Sequence, residues 1–274
     1  MAIPNSEEKA MRLSKEEMAR ACAESLLDCL TLVHSSSPRR ILWHEPDMTL
    51  FSTGAPSYFQ NGVLKARFTS KNMAIRTKRA LEYFKRRRLP MAWLVDPWST
   101  PAGLGRFLQD QGLTLEWEIP CMAMYLKRVK QESLPTGFTI CPVNDLRSLR
   151  TCVATAVKGF GGGKFENDQF REIYLGLGLG PTKRWFTGFL DGEAVASSLL
   201  LLQGGLATVW LVATQKKARG RGIGTAITRE ALLMAKKLGY DFAIIQAGEM
   251  GFPVYKKMGF VEYSKVKRYH WNPD

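Results

Sequence analysis

The sequence predicts an α/β chain made of two related halves, and three observations lead to it. The second half alternates strand and helix patterns: strand, two helices, three strands joined by tight turns, a glycine-rich loop, helix, strand, helix, strand. The first half repeats the later part of that order. "GVLKARF", a helix, "MAWLV", a proline-started helix and "GL" parallel "LATVWLV", a helix, "DFAIIQA", a proline-started helix and "GF". Between the halves, "KRVKQESLPTG" (127–137) is charged, contains proline and lacks an apolar period, as a linker does. The expected division is 1–127, a linker at 128–136, and 137–274.

Each element has its own signal. Ser14-Lys15-Glu16-Glu17 fits a capping box, so a helix is predicted over about 15–34, ended by "SSSPRR". "ILWH" and "MTLFSTG" read as short strands, and "GVLKARF" (62–68) alternates as a strand does. Over 73–88 the spacing is helical, with Ile75, Ala80, Leu81, Tyr83 and Phe84 on one apolar face, and Pro90 stops it. "MAWLV" (91–95) is a strand, "PAGLGRFLQDQGL" a helix opened by proline and closed at Gly112, and "TLEWEI" with "MAMYL" a final strand or two.

The second half opens with the strand "FTICPV" and a helix over 145–157. "KGFGGGKFEND" (158–168) is too glycine-rich for regular structure, and a helix follows over 169–175. "RWFTGFL", Asp191-Gly192 and "EAVASSLLLL" form a hairpin signal, and Gly204-Gly205 turns into "LATVWLV". A helix over 224–238 ends at Gly239. "DFAIIQA" is a strand, Pro253 starts a helix that ends at Gly259, and "FVEYSKVKRYHW" is a last strand pair.

Composition narrows the classes. With 274 residues and 45% hydrophobic content the chain can bury one large core or two modest ones. A net charge of +14 favours anionic partners: nucleic acid, an anionic membrane face or a phosphorylated small molecule. Cys22, Cys29, Cys121, Cys141 and Cys152 are scattered, with no C-x-x-C, and read as buried reduced thiols in a cytoplasmic protein. His34, His44 and His270 stand far apart, so no metal site is expected, and His270 reads as structural. Glu7, Glu8 and Lys9 interrupt any signal peptide, and no run reaches the ~18 apolar residues of a membrane span.

The chemistry concentrates in "KKARGRGIGTAI" (216–227), which leads from a strand into a helix. A helix N-terminus offers unpaired N–H groups and about half a positive charge. Glycines before it let backbone amides approach an anion without Cβ obstruction, and Arg219 and Arg221 add charge-assisted hydrogen bonds. Gly220, Gly222, Gly224 and Thr225 thus suit a pyrophosphate; the alternative is a surface β-α turn with solvated arginines. No Walker G-x-x-x-x-G-K-[ST] is present. A Rossmann loop needs an acid closing the next strand, where this chain has Gln246-Ala247. No H-R-D or D-F-G of a protein kinase occurs.

Arg219-Gly220-Arg221-Gly222-Ile223-Gly224 matches [QR]-x-x-G-x-[GA], and "VYKKMGF" (254–260), about 35 residues on, looks like "LYEKLGF". Together with the strand order, these residues resemble the GNAT acetyltransferases over about 136–271. "QAGEMGFPVYKKMGF" also looks like the signature of tandem GNAT proteins, whose N-terminal copy lacks the cofactor loop; here the corresponding place holds the glycine-free "TSKNMA" (69–74). The resemblance implies an α/β (α+β) fold of two GNAT-like domains, each a mixed, mainly antiparallel sheet flanked by helices. The first would be degenerate and the second catalytic.

It also implies acetyl-CoA as cosubstrate. The amides of Arg219, Gly220, Arg221, Gly222, Ile223, Gly224 and Thr225 would hold its pyrophosphate. Its pantetheine would pair along Leu211, Val212 and Ala213, and the Val212 N–H would serve as oxyanion donor. Tyr255 matches the general acid that protonates the departing thiolate; its other reading is a packed helix tyrosine. Gly248, seven residues earlier, stands where GNAT proteins often carry an asparagine that touches the cofactor.

Acceptor pockets in the family are built around the loop between the first two helices, so Phe160 and Phe165 are candidate walls. Glu166, Asp168 and Glu249 are candidate bases, each with a solvated surface acid as the plainer reading. Trp185 and Trp210 read as core. The expected activity is direct acetyl transfer to a primary amine of a small molecule by a monomer or homodimer that does not act at a membrane. Two alternatives stand: a non-catalytic acyl-CoA-sensing or RNA-associated binding protein, and an acetyltransferase acting on aminoacyl-tRNA. The seven basic residues and one acid of 76–88 bear on these as a solvated helix face or an RNA or acidic-protein docking face.

Overall fold

Ser14 opens the first helix as its side chain requires. Its Oγ accepts from the Glu17 amide (3.2 Å), and the Glu17 carboxylate accepts from the Ser14 amide (2.7 Å). Helix α1 then runs over Lys15–Ser35. The structure, a computed structural model, describes residues 13–273; Glu7, Glu8 and Lys9 lie outside the described residues.

Strands β1 (Ile41–Glu45) and β2 (Met48–Ser52) form a hairpin. β3 covers only Asn61–Leu64, shorter than the predicted 62–68, because Lys65 adopts φ 56° and turns the chain. α2 (Met73–Lys85) ends before the predicted 88, and Arg88 leaves at φ 51°. Ile75, expected on its apolar face, is 72% exposed, while Thr77 is buried. After β4 (Met91–Val95), α3 (Leu104–Asp110) begins three residues beyond Pro101. β5 (Thr114–Tyr125) is one strand rather than two. It tolerates Pro120 because its neighbour β10 (Phe242–Gln246) stops pairing at Cys121, so the missing N–H falls beyond that ladder.

In the second half, β6 (Phe138–Pro142) is followed by α4 (Leu146–Phe160) and α5 (Lys164–Leu177). Both helices extend into the segment predicted as irregular; only Gly161, Gly162 and Gly163 break them, with Gly161 and Gly162 at φ 78° and 113°. β7 (Lys183–Leu190) and β8 (Glu193–Gln203) are joined as predicted, by Asp191 and Gly192 at φ 49° and 82°. β9 (Leu206–Thr214), α6 (Ile223–Lys237) and α7 (Phe252–Met258) follow. The expected last strand pair is a single strand, β11 (Val261–Trp271), continuous through two bulges in its pairing with β5.

Among the described residues, eleven strands form one mixed, mainly antiparallel sheet in the order β1-β2-β3-β4-β11-β5-β10-β9-β8-β7-β6. The order contains an exchange. β5, from the first half, lies between β10 and β11, and β11, from the second, pairs with β4. Only β3–β4 and β9–β10 are parallel. Side-chain alternation splits the core around the sheet. Phe186, Leu200, Val209 and Ile245 face α6, while Trp185, Leu199 and Leu201 face α4 and α5. α1 covers the junction, packing Met18, Cys22 and Leu26 with Leu94 of β4, Ala123 of β5, Ile244 of β10 and Val266 of β11.

The cysteines divide. Cys22, Cys29, Cys121 and Cys152 are buried, but Cys141 is exposed, contrary to the expectation of five buried thiols, because β6 is the outermost strand. Burial raises the Cys29 and Cys121 thiols to about 12 and Cys152 to about 11, and raises Cys22 as well. Iodoacetamide at pH 8 is therefore expected to label native protein at Cys141 alone and the unfolded chain at all five cysteines. Mass spectrometry of the peptides reads this, and native labelling at Cys29 or Cys152 contradicts it.

Candidate acyl-CoA site

A cleft begins where β9 and β10 part. Their parallel pairing covers Ala207–Val209 against Ala243–Ile245 and stops. Gln246 pairs instead with Cys121 of β5, and the Ala247 amide donates to the Pro120 carbonyl (3.0 Å). β9 stays with β8 to Thr214. A bulge marks the divergence: Ser197 pairs with Ala213 and Leu199 with Trp210, so Leu211 and Val212 together oppose Ser198. Leu211 takes φ 54°, a costly conformation for a branched residue, and its carbonyl accepts from the Ser197 hydroxyl (3.2 Å). Leu211, Val212 and Ala213 thus occupy the part of β9 that β10 has left.

Beyond Thr214 the chain makes a 3-10 turn at Lys216–Ala218 and enters the glycine loop. Gly220 and Gly222 both sit at φ 75°, and Gly222 is the N-cap of α6 without a side-chain capping bond. The amides of Gly220, Arg221, Gly222, Ile223, Gly224 and Thr225 donate to no backbone carbonyl among the described residues. Six free N–H groups at a helix start, with open space where a Gly220 Cβ would stand, fit a pyrophosphate. Ile223 contributes only its amide, since its side chain is buried in the core.

Arg219 has a different part from the one its charge suggested. Its Nε donates to the Thr214 carbonyl (3.0 Å) and its Nη2 to the Gly159 carbonyl (2.8 Å), while Nη1 lies 3.7 Å from the Met250 sulfur. One guanidinium ties together the ends of β9 and α4, the loop and the segment before α7. Arg221 is exposed.

Tyr255 lies in α7 on the α6 side of the sheet, 8% exposed, its ring 5.9 Å from that of Phe260. It folds over Gly251, where a Cβ would come within 2.8 Å of the ring and 3.4 Å of the hydroxyl. Burial pushes its phenol up to about 12, so it is fully protonated at neutral pH.

The acceptor-side residues are only partly assembled. Phe160 ends α4, 56% exposed, 5.8 Å from the Phe170 ring. It is next to Gly159, and Glu249 is next to Met250, so both adjoin residues that the Arg219 guanidinium touches. Glu166 is exposed in the first turn of α5 and folds back over Gly163. Asp168 is exposed and paired with Arg171 (3.0 Å). The side chain of Phe165 lies outside the described residues. Trp185 is core, donating to the Gly178 carbonyl (3.1 Å), and Trp210 donates to the Tyr174 hydroxyl (2.9 Å). Among the described residues, no cluster of three or more His, Cys, Asp or Glu is placed to hold a metal ion, and no helix is long and apolar enough to cross a membrane.

Sequence reasoning missed three contributors: the Leu211 bulge, Gly159 and Met250. Gly159 is required because a Cβ there would stand 2.8 Å from the Ala213 Cβ. In the sequence it merges with the glycine-rich run 158–168, which hides its separate role.

The matching place in the first half is closed by its own chain. At the start of α2 the Asn72 side chain accepts from the Thr69 amide (2.8 Å), and the Thr69 hydroxyl accepts from the Asn72 amide (3.2 Å). Past β3, the Phe68 amide donates to the Thr100 carbonyl (3.0 Å) and the Thr100 amide to the Ala66 carbonyl (3.3 Å). Thr100 therefore pairs where, in the second half, β9 presents a free edge.

The sequence model of the acetyltransferase (GNAT) family matches residues 152–260, a span holding the bulge, the glycine loop and Tyr255. Residues 152–260 thus match a GNAT acetyltransferase domain, a class that takes its acyl group from acyl-CoA. Solved structures share the fold over nearly the whole chain. A GCN5-related N-acetyltransferase from Kribbella flavida superposes with a TM-score of 0.70 at 16% identity, covering 92% of this chain and 96% of that one. A tandem GNAT protein from the clavulanic acid biosynthesis pathway gives 0.61 at 13% identity, with 96% and 97% covered. A GCN5-related N-acetyltransferase from Sphaerobacter thermophilus gives 0.62 at 16% identity, with 82% and 80% covered. No functionally curated protein matches the sequence.

Proposed function

We propose that this chain is a tandem GNAT protein that transfers an acetyl group from acetyl-CoA to a primary amine of a small molecule, by direct attack and in the cytoplasm. Residues 137–274 do the chemistry, and residues 1–127 are a degenerate, non-catalytic partner. The observation that carries the reading is the run of free amides from Gly220 to Thr225 at the end of the edge that β9 shows beyond Val209. Those amides and the α6 dipole bind the pyrophosphate. Val212 and Ala213 take the pantetheine as an added strand, and the Val212 N–H polarises the thioester carbonyl. Tyr255 gives its proton to the departing thiolate. Phe160 and Glu249 border the acceptor, Phe160 with apolar surface and Glu249 with a charge that draws in an ammonium. The closed first-half site supports assigning catalysis to the second half alone.

A CoA-release assay over a library of primary amines tests this. The expected result is thiol release that depends on both acetyl-CoA and a particular amine. CoA binding without release from acetyl-, propionyl- or longer acyl-CoA across the library would sink the enzyme reading and leave the binding-protein alternative.

A further inference from the structure

The basic stretch of α2 is not uniformly solvated. Arg76 turns inward, its guanidinium hydrogen-bonded to Glu45 and Asp47. It holds two of the acids near this surface. The next turns of α2 and the hairpin β1–β2 enclose an open groove of about 230 Å³. Trp43 lines it from the outermost strand, 45% exposed, edge-on to Tyr83 at 4.8 Å. The Arg87 guanidinium lies 4.0 Å above the Tyr83 ring. Arg79 and Arg86 line it too, together with Glu45 and Glu82. Their ion pairs, with Glu45 at 3.9 Å and Glu82 at 3.6 Å, are exposed and contribute little.

We propose that this groove binds single-stranded nucleic acid, with a base stacked on Trp43 and flanking phosphates held by Arg79, Arg86 and Arg87. Two features point to this ligand together. Three guanidiniums outnumber the two lining carboxylates, Glu45 and Glu82, and the net positive charge suits phosphate, which guanidiniums bind through paired N–H donors. A half-exposed indole on a sheet edge, packed against Tyr83, still offers part of the flat surface that a base requires. An acidic peptide would use the arginines but leave the indole idle. The groove is far from the acyl site. β1 and β9 are seven strand steps apart in the sheet, roughly 30 Å at the usual spacing. A polymer can reach from one to the other; a small ligand cannot.

Fluorescence anisotropy of the full chain with a labelled oligouridylate of about 12 nucleotides tests the site. Saturable, salt-weakened binding is expected, undisturbed by saturating CoA. Trp43→Ala should weaken it about 10-fold, whereas Trp43→Phe should stay within about threefold of the parent. The pair Arg86→Gln, Arg87→Gln should lower the salt slope by about 1.4, at about 0.7 per phosphate contact on a single strand. These side chains are exposed, so melting temperatures should hold. The proposal is overturned by absence of saturable binding, by parent-like affinity of Trp43→Ala, by displacement with CoA, or by equally tight binding of a labelled polyglutamate.

Discussion

Tyr255→Phe should lower kcat about 100-fold while leaving the Kd for acetyl-CoA nearly unchanged. The tyrosine has little else to do. Its hydroxyl has no charged partner, and its ring, which phenylalanine preserves, supplies the packing against Phe260. The size of the effect follows from the leaving group. A thiol has a pKa near 8.5, so a departing thiolate tolerates the absence of an acid better than an alkoxide would, and a loss nearer 10⁴-fold is not expected. Because burial holds the phenol protonated up to about pH 12, Tyr255 imposes no alkaline limb below about pH 10. The acid limb of kcat/KM should reflect deprotonation of the incoming amine and be the same in the variant. Steady-state kinetics over pH 6–10 with calorimetric titration of acetyl-CoA measures both. Parent-like turnover in the variant removes Tyr255 from the mechanism.

Gly222→Val should raise the acetyl-CoA Kd roughly 30-fold or more, the energetic equivalent of about 2 kcal/mol. Gly222 holds φ 75° at the N-cap of α6, where a β-branched side chain is strained by about 1–3 kcal/mol. Relief of that strain rotates the peptide units that aim the free amides of Gly222 and Ile223. No side chain lies within 3.4 Å of the position of a Cβ there, the nearest being Pro135 at 3.9 Å, so the core is not overpacked and the fold survives. Calorimetry, with circular dichroism to verify folding, decides the matter. A folded variant with parent-like affinity rules out this loop as the pyrophosphate cradle.

How legible these features were depends on their range. The α1 capping box, the Asp191-Gly192 turn and the glycine loop between a strand and a helix each rest on contacts within a few residues, and each reads directly from the sequence. Misreadings occurred where a local rule met a distant partner. Ile75 fitted an apolar stripe but faces solvent. Arg219 looked like an anion ligand, yet its guanidinium is engaged with carbonyls at Thr214 and Gly159, the second 60 residues away.

By itself, the sequence determined the order of the elements, the glycine loop that opens a helix and the absence of glycine from 69–74. Those depend on local backbone freedom and side-chain type, which are properties of short segments. Only the tertiary structure decided where β9 and β10 separate, that Leu211 bulges there, that β5 and β11 change places across the two halves, and that Thr100 closes the first-half site. Each of those rests on hydrogen bonds between segments far apart in the chain, whose register is set by which side chains the sheet can bury on each face.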